Sequence, residues 1–304
     1  MGVHYKLHHL LGELSADGTH ASFAKGEGIP LEFPRQVQEL RAALSAIGKE
    51  RHADLRKRNL ALTKDAVKKA VTPDILAIQA IKSIVDMDKV IGTLTTRLRD
   101  WYEMHLPEYS AQEKDPEKFV KGVLILNKDA FLSKEGKESF GADLSAHNLK
   151  PVHNLAHHIL AMHATRKELE LYLDDMMRMV CPNIRAVAGT LLGAKLLEHA
   201  GSLRRLATMP SSTVQILGAE KALFRHLKTG SKPPKYGVLL AHSLVQQMPK
   251  ERQGKAARVL ADKISLAVRI DFFKGEFRGE QLLEDARKKL EKEMTKEKPS
   301  AKGN

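Results

Sequence analysis

The sequence predicts a mainly all-α protein, and three observations carry that prediction. Two segments of roughly 33 residues each place apolar residues at alternating steps of three and four, the seam of a coiled coil. A compact insert separates them, so the two fold back on each other as an antiparallel hairpin. The region after them, 182–290, is again a series of short amphipathic runs. A small N-terminal segment is the exception and reads as a strand-and-turn or α/β unit or as a loosely held arm. The expected divisions are 1–72, 73–181 for the coiled coil and its insert, 182–290 for a helical domain, and 291–304 for a disordered basic tail.

The elements follow in order. Residues 1–33 are rich in Gly and His, with short apolar runs around Leu7–Leu14. From Pro34, Val37, Leu40, Leu44 and Ile47 step as a helix does, and a charged stretch from Lys49 to Lys69 follows. Thr72-Pro73-Asp74 is a helix start, a capping hydroxyl followed by Pro at the first helical position. Ile84, Met87, Ile91, Leu94, Leu98 and Trp101 form the seam of the first long helix, which stops near Leu106-Pro107. The insert holds one short helix near Pro116–Leu126 and a turn at Ser139-Phe140-Gly141. A second long helix starts near Leu149-Lys150-Pro151 and ends at Cys181-Pro182. Its seam is Val152, Leu155, Ile159, Met162, Arg166, Leu169, Leu173, Met176 and Val180, broken only by Arg166. Asn183–His199 is helical, with Gly189 and Gly193 allowing close approach. Arg252–Arg269 is a basic helix, and Gln281–Lys292 a charged one.

Composition narrows the function. The 304 residues are 42% hydrophobic, enough for a real core, and carry a formal net charge of +13. Such a balance implies acidic partners, nucleic acid foremost. Aromatics are only 5%, with one Trp, which argues against a single-strand base-stacking protein. Cys181 is the only cysteine, so it forms neither an intrachain disulfide nor a thiolate metal cluster, and it reads as a buried structural thiol. No apolar run approaches the ~20 residues of a membrane span, and the start lacks a signal-peptide pattern.

Catalytic and metal readings fail on spacing. His153 and His157 are four apart on one helix, but no carboxylate or thiol lies at ligand spacing near them or near His147, His158 and His163. Asp174 and Asp175 are adjacent, about 100° apart on a helix, and form no catalytic pair. No Gly-rich phosphate loop and no nucleophile elbow occurs. Neither an enzyme nor a bound cofactor or metal is expected.

The charge is concentrated. Between Gly201 and Leu260 stand eleven Lys/Arg and two Glu, a net +9. Within Pro210–Gly237, Ser212 and Gln215 have capping-box spacing, and Gly218 breaks the helix. Leu223, Phe224 and Leu227 would face inward, with Lys221, Arg225 and Lys228 outward. Gly230 closes that helix, and Lys232 and Lys235 flank Pro233-Pro234. Lys250, Arg252, Lys255 and Arg258 make a second basic line. The N–H groups where the helix restarts after Gly218 would favour an anion. Glu220 suits a protein partner or the orientation of Lys221.

Several of these stretches resemble one family. Pro182–Leu203, Pro210–Gly237, Arg252-Gln-Gly-Lys-Ala-Ala-Arg258 and Ala267-Val-Arg-Ile-Asp271 resemble the Nop domain. That is the RNA–protein module of box C/D ribonucleoprotein scaffolds and of a related spliceosomal factor. Ile78-Gln-Ala-Ile81, Arg97–Tyr102 and Ser139–Asp143 extend the resemblance to the coiled coil. The resemblance implies a domain that grips a kink-turn RNA together with a small ribosomal-type kink-turn protein. It places Gly218, Ala219, Glu220 and His226 on the composite surface, beside the cations of both basic lines. It also implies self-association through the coiled coil, and an N-terminal domain holding fibrillarin, which methylates ribose 2′-hydroxyls. Fibrillarin contact stays open, because 72 residues precede Pro73 and the family's fibrillarin domain is considerably longer. The alternative is a coiled-coil adaptor acting through protein contacts alone. The missing Lys-rich tail matches a cytoplasmic archaeal member over a nucleolar one.

Overall fold

The computed structural model describes residues 5–9, 12–16, 21–24, 48–136 and 138–295. They belong to two compact units, Met1–Thr72 and Pro73–Asn304. The first holds an antiparallel three-stranded meander, Tyr5–His9, Gly12–Ala16 and Ala21–Ala24. Its register puts Leu7, Leu14 and Phe23 in one row. The charged stretch forms a helix, Gly48–Ala70. The helix expected from Pro34 to Ile47 lies outside the described residues.

The second unit is helical, as the sequence predicts. Its first long helix, Pro73–Glu103, has 31 residues, and the second, Ala146–Val180, has 35. Every expected seam position of the second helix is buried or half-buried. Its start lies earlier than expected. The Ser145 side chain accepts from the Asn148 N–H and caps the helix there, which leaves Pro151 inside it. On the first helix the seam extends back through Ala77 and Ile81 and ends on Tyr102, not Trp101. The four-residue step from Leu98 keeps Tyr102 on the buried face, and the three-residue step leaves Trp101 38% exposed. Arg166, the break in the apolar seam, pairs across the hairpin with Asp88 and along its own helix with Glu170.

The insert contains three short helices, Pro107–Gln112, Pro116–Ile125 and Lys128–Glu135, where one was expected. Asp115 and Asn127 cap the last two through their side chains. Tyr102, Tyr109 and Phe119 pack edge-to-face and stacked in the centre of this tip. Glu108 accepts from Ser139 Oγ and from the Phe140 N–H, and Lys128 donates to the carbonyls of Gly141 and Ala142. The Ser139–Gly141 turn is thus tied down, yet the Phe140 ring is 98% exposed.

The terminal region packs against the base of the hairpin. Helix Pro182–Ala188 and helix Thr190–Ala200 are separate because Gly189 takes φ +81°. Gly189 is therefore a break, and Gly193 alone provides the close approach, against Ile184 and Met177. Asp271, buried near the end of the helix Gln253–Phe272, accepts from the N–H groups of Asn183 and Ile184 and from Asn183 Nδ2, at 2.7–3.0 Å. The two backbone N–H groups are orphan donors of a helix start. Cys181 is buried beside them, and burial pushes its thiol pKa well up. The last helix, Gly279–Thr295, takes up the first five residues of the expected tail, because Ala286 and Leu290 on the same helix are buried. Residues 296–304 lie outside the described residues.

Candidate nucleic-acid interface

The basic stretch begins with two short helices, Leu203–Thr208 and Ser211–Ile216. The expected capping box at Ser212 and Gln215 does not form. The second of these helices starts at Ser211 with no side-chain cap. Gln215 is buried and donates instead to the carbonyls of Lys235 and Gly254. Gly218 then turns the chain at φ +83°. A Cβ there would stand 2.5 Å from Val238 Cγ1, so only glycine fits.

Helix Glu220–Thr229 follows and closes on Gly230 at φ +67°, whose N–H donates to the His226 carbonyl, as the sequence predicts. His226 Nδ1 lies against the Ser231 carbonyl and fastens the next turn. The expected inward face fails at Phe224 and Leu227, while Leu223 is half-buried. No residue of this helix is buried, and Phe224 and Leu227 are 68% and 70% exposed. The helix projects from the domain, so its apolar side chains meet no core of their own. By helical spacing, Lys221, Arg225 and Lys228 form one stripe, and Phe224 and Leu227 form another roughly 100° around.

The anion site expected at the helix start is filled by the protein. Glu220 Oε1 accepts from the Gly218 N–H at 2.7 Å and lies 3.6 Å from His199 Nδ1. Burial opposes ionisation of Glu220, but the Gly218 and Glu220 N–H groups outweigh it and hold the carboxyl below its usual range. Glu220 thus holds the Gly218 turn that leads into its helix, and Ala219 N donates to the Ile216 carbonyl.

The five cations Lys221, Arg225, Lys228, Lys232 and Lys235 are exposed, and none pairs with an acid among the described residues. The loop carrying Lys232 and Lys235 returns to the body through two main-chain bonds. Gly237 N donates to the Gln215 carbonyl, and Val238 N to the Leu217 carbonyl, at 2.9 and 2.8 Å. Lys235 then lies against the first turn of helix Gln253–Phe272, its Cβ 3.3 Å from where a Gly254 Cβ would be. The second basic line starts there. Lys250, Lys255 and Arg258 are exposed, and Arg252 is half-buried. The structure therefore joins the two basic lines at Lys235 and Gly254. Sequence reasoning missed Gln215, the residue that joins them.

No described helix is long and apolar enough to cross a membrane. No group of three or more His, Cys, Asp or Glu among the described residues is arranged to hold a metal ion.

Residues 83–296 match the family model Nop, described as a snoRNA binding domain with fibrillarin. An uncharacterised NOP5 family protein of Methanocaldococcus jannaschii is 36% identical over 298 residues, covering 88% of this chain and 72% of that one. Nucleolar protein 58 of Schizosaccharomyces pombe is 37% identical over 215 residues, covering 65% of this chain and 42% of its own length. A chain of a solved fibrillarin/NOP5P complex is 25% identical, covers 95% of this chain and 99% of its own, and superposes with a TM-score of 0.48. With most of its length matched by the family model and with a relative at this identity, the chain belongs to the Nop family.

Proposed function

We propose that the chain is an RNA-binding scaffold of a box C/D-type ribonucleoprotein. It recognises a kink-turn RNA already bound by a small ribosomal-type protein and supports 2′-O-methylation by fibrillarin without being the methyltransferase. One observation carries this reading. The helix Glu220–Thr229 buries none of its residues, yet displays a cationic stripe beside exposed Phe224 and Leu227. RNA phosphates suit the first stripe and a protein surface the second. In this reading 73–181 is the self-associating arm, 182–290 grips RNA and protein, and 1–72 faces fibrillarin. The family description names fibrillarin, which weighs against the reservation that the short N-terminal segment raised. The relatives include an archaeal protein and a nucleolar one. The cytoplasm of an archaeal cell, or the nucleolus of a eukaryotic one, is the corresponding location.

Stepwise gel-shift assembly tests the proposal. Kink-turn RNA, the small kink-turn protein, this chain and fibrillarin should add in that order, each giving a slower band. Arg225→Ala with Lys235→Ala should weaken RNA binding and lower the salt slope by about one per lost contact. A slope and affinity unchanged by the double substitution would reject the RNA assignment. A protein-only adaptor would assemble equally well with or without these cations.

A further inference from the structure

Residues 218–234 leave the domain and return to it through a narrow neck. Its two sides are Gln215–Leu217 and Lys235–Val238, joined by the two main-chain bonds already described. The sides lie very close together. A Cβ on Gly237 would fall 1.8 Å from the Leu217 carbonyl oxygen. No residue of the projecting helix is buried, and what holds it lies at its ends, Glu220 against Gly218 and His199 and His226 against Ser231. The return of the loop to the domain is set at the neck.

Gln215 is the one residue that works on both levels. Its main-chain carbonyl accepts from Gly237, and its side-chain amide reaches the Lys235 carbonyl at 2.6 Å and the Gly254 carbonyl at 3.4 Å. A primary amide has two N–H donors, one for each carbonyl. The side chain is only 8% exposed, so these bonds compete little with water. One buried amide thus ties together the return of the first basic line and the first turn of the second.

We infer that Gln215 is a positioning residue for RNA recognition. It touches no RNA and acts by holding Lys235 at a fixed place relative to Gly254, so that phosphate contact does not first have to order the loop. The inference rests on the RNA reading proposed above.

Gln215→Met keeps the side-chain length and removes both donors without adding charge. Fluorescence anisotropy with kink-turn RNA and its small protein, over a KCl series, gives affinity and salt slope together. We expect an affinity loss of about tenfold at an unchanged slope, because no phosphate contact is deleted. Lys235→Ala should lower both. In the Lys235→Ala background the Gln215→Met loss should shrink, whereas with Lys250→Ala the two losses should add. Losses that add in both backgrounds mark Gln215 as merely structural and overturn the inference. If Lys235→Ala and Arg225→Ala leave affinity and slope untouched, the RNA reading itself fails and takes this inference with it. Should Gln215→Met unfold, hydrogen exchange on the unaltered protein decides. Gln215 side-chain amide protons slower than those of the exposed Gln246 and Gln247 support the clamp, and equally fast exchange overturns it.

Discussion

At the scale of single residues, the polar side chains that join helices are the informative ones. Asp174 receives Arg185 at 2.7 and 3.0 Å, Arg178 at 2.7 Å, and the Thr190 hydroxyl. The Arg185 hydrogen bonds foremost, then Thr190, hold its carboxyl well below the usual range against an opposing effect of burial. A folded-state pKa below the unfolded one stabilises the fold fully above about pH 4 and loses that stabilisation as pH falls through the folded value. Asp174→Asn should therefore flatten the acid side of a stability–pH profile measured by urea unfolding. Parallel profiles for the two proteins would reject the assignment. The cations were legible in the sequence because an exposed charge needs no partner to be recognised. Gln215 and Asp271 were not legible, since their partners lie 20 to 88 residues away and local spacing gives no sign of them. Gln215 was even misread, because a capping box and a buried tie use the same residue type.

At the scale of elements, the stop signal set by a glycine read well, since Gly230 ends the projecting helix as expected. Starts set by a serine did not: Ser145 caps the second long helix ahead of the expected Leu149–Pro151, and Ser202 caps a short helix that periodicity had not marked. The seam read well too, because a coiled coil repeats its burial rule over many turns. A ten-residue helix offers no such repetition. Its apolar side was assigned inward on amphipathicity alone, and amphipathicity does not say whether the apolar face meets the same chain or another. Arg166 tests the seam directly. Its side chain is 24% exposed and that of Asp88 is 50%, so solvent screens the pair. Arg166→Leu should complete the apolar seam and raise the urea midpoint, because burying a Leu side chain, worth about 1.5–3 kcal/mol, outweighs a screened pair worth about 0–1 kcal/mol. A fall in the urea midpoint would instead show that the ion pair is net favourable.

At the scale of the whole described unit, Pro73–Thr295, there are two buried clusters. One joins the base of the hairpin to the terminal helices, and the other fills the tip around Tyr102, Tyr109 and Phe119. The Arg166–Asp88 pair lies on the stretch of hairpin between them. The periodicity predicted the helices, but the division into two cores depends on side chains that the insert and the terminal helices bring from far along the chain. The tip displays Phe140 on a turn held by Glu108 and Lys128. If the chain pairs with itself through this end, Phe140→Asp should reduce the light-scattering mass from dimer to monomer without changing the melting temperature, because the ring is 98% exposed. An unchanged mass would place self-association elsewhere on the hairpin. The projecting helix has one more consequence. At ten residues it is too short to be stable by propensity alone, and it is held by its two ends. Covering Phe224 and Leu227 would add stability that the free protein lacks, in proportion to the free concentration of whatever covers them. The order of this segment, followed by its amide exchange, then becomes an internal gauge of how much of the protein is assembled.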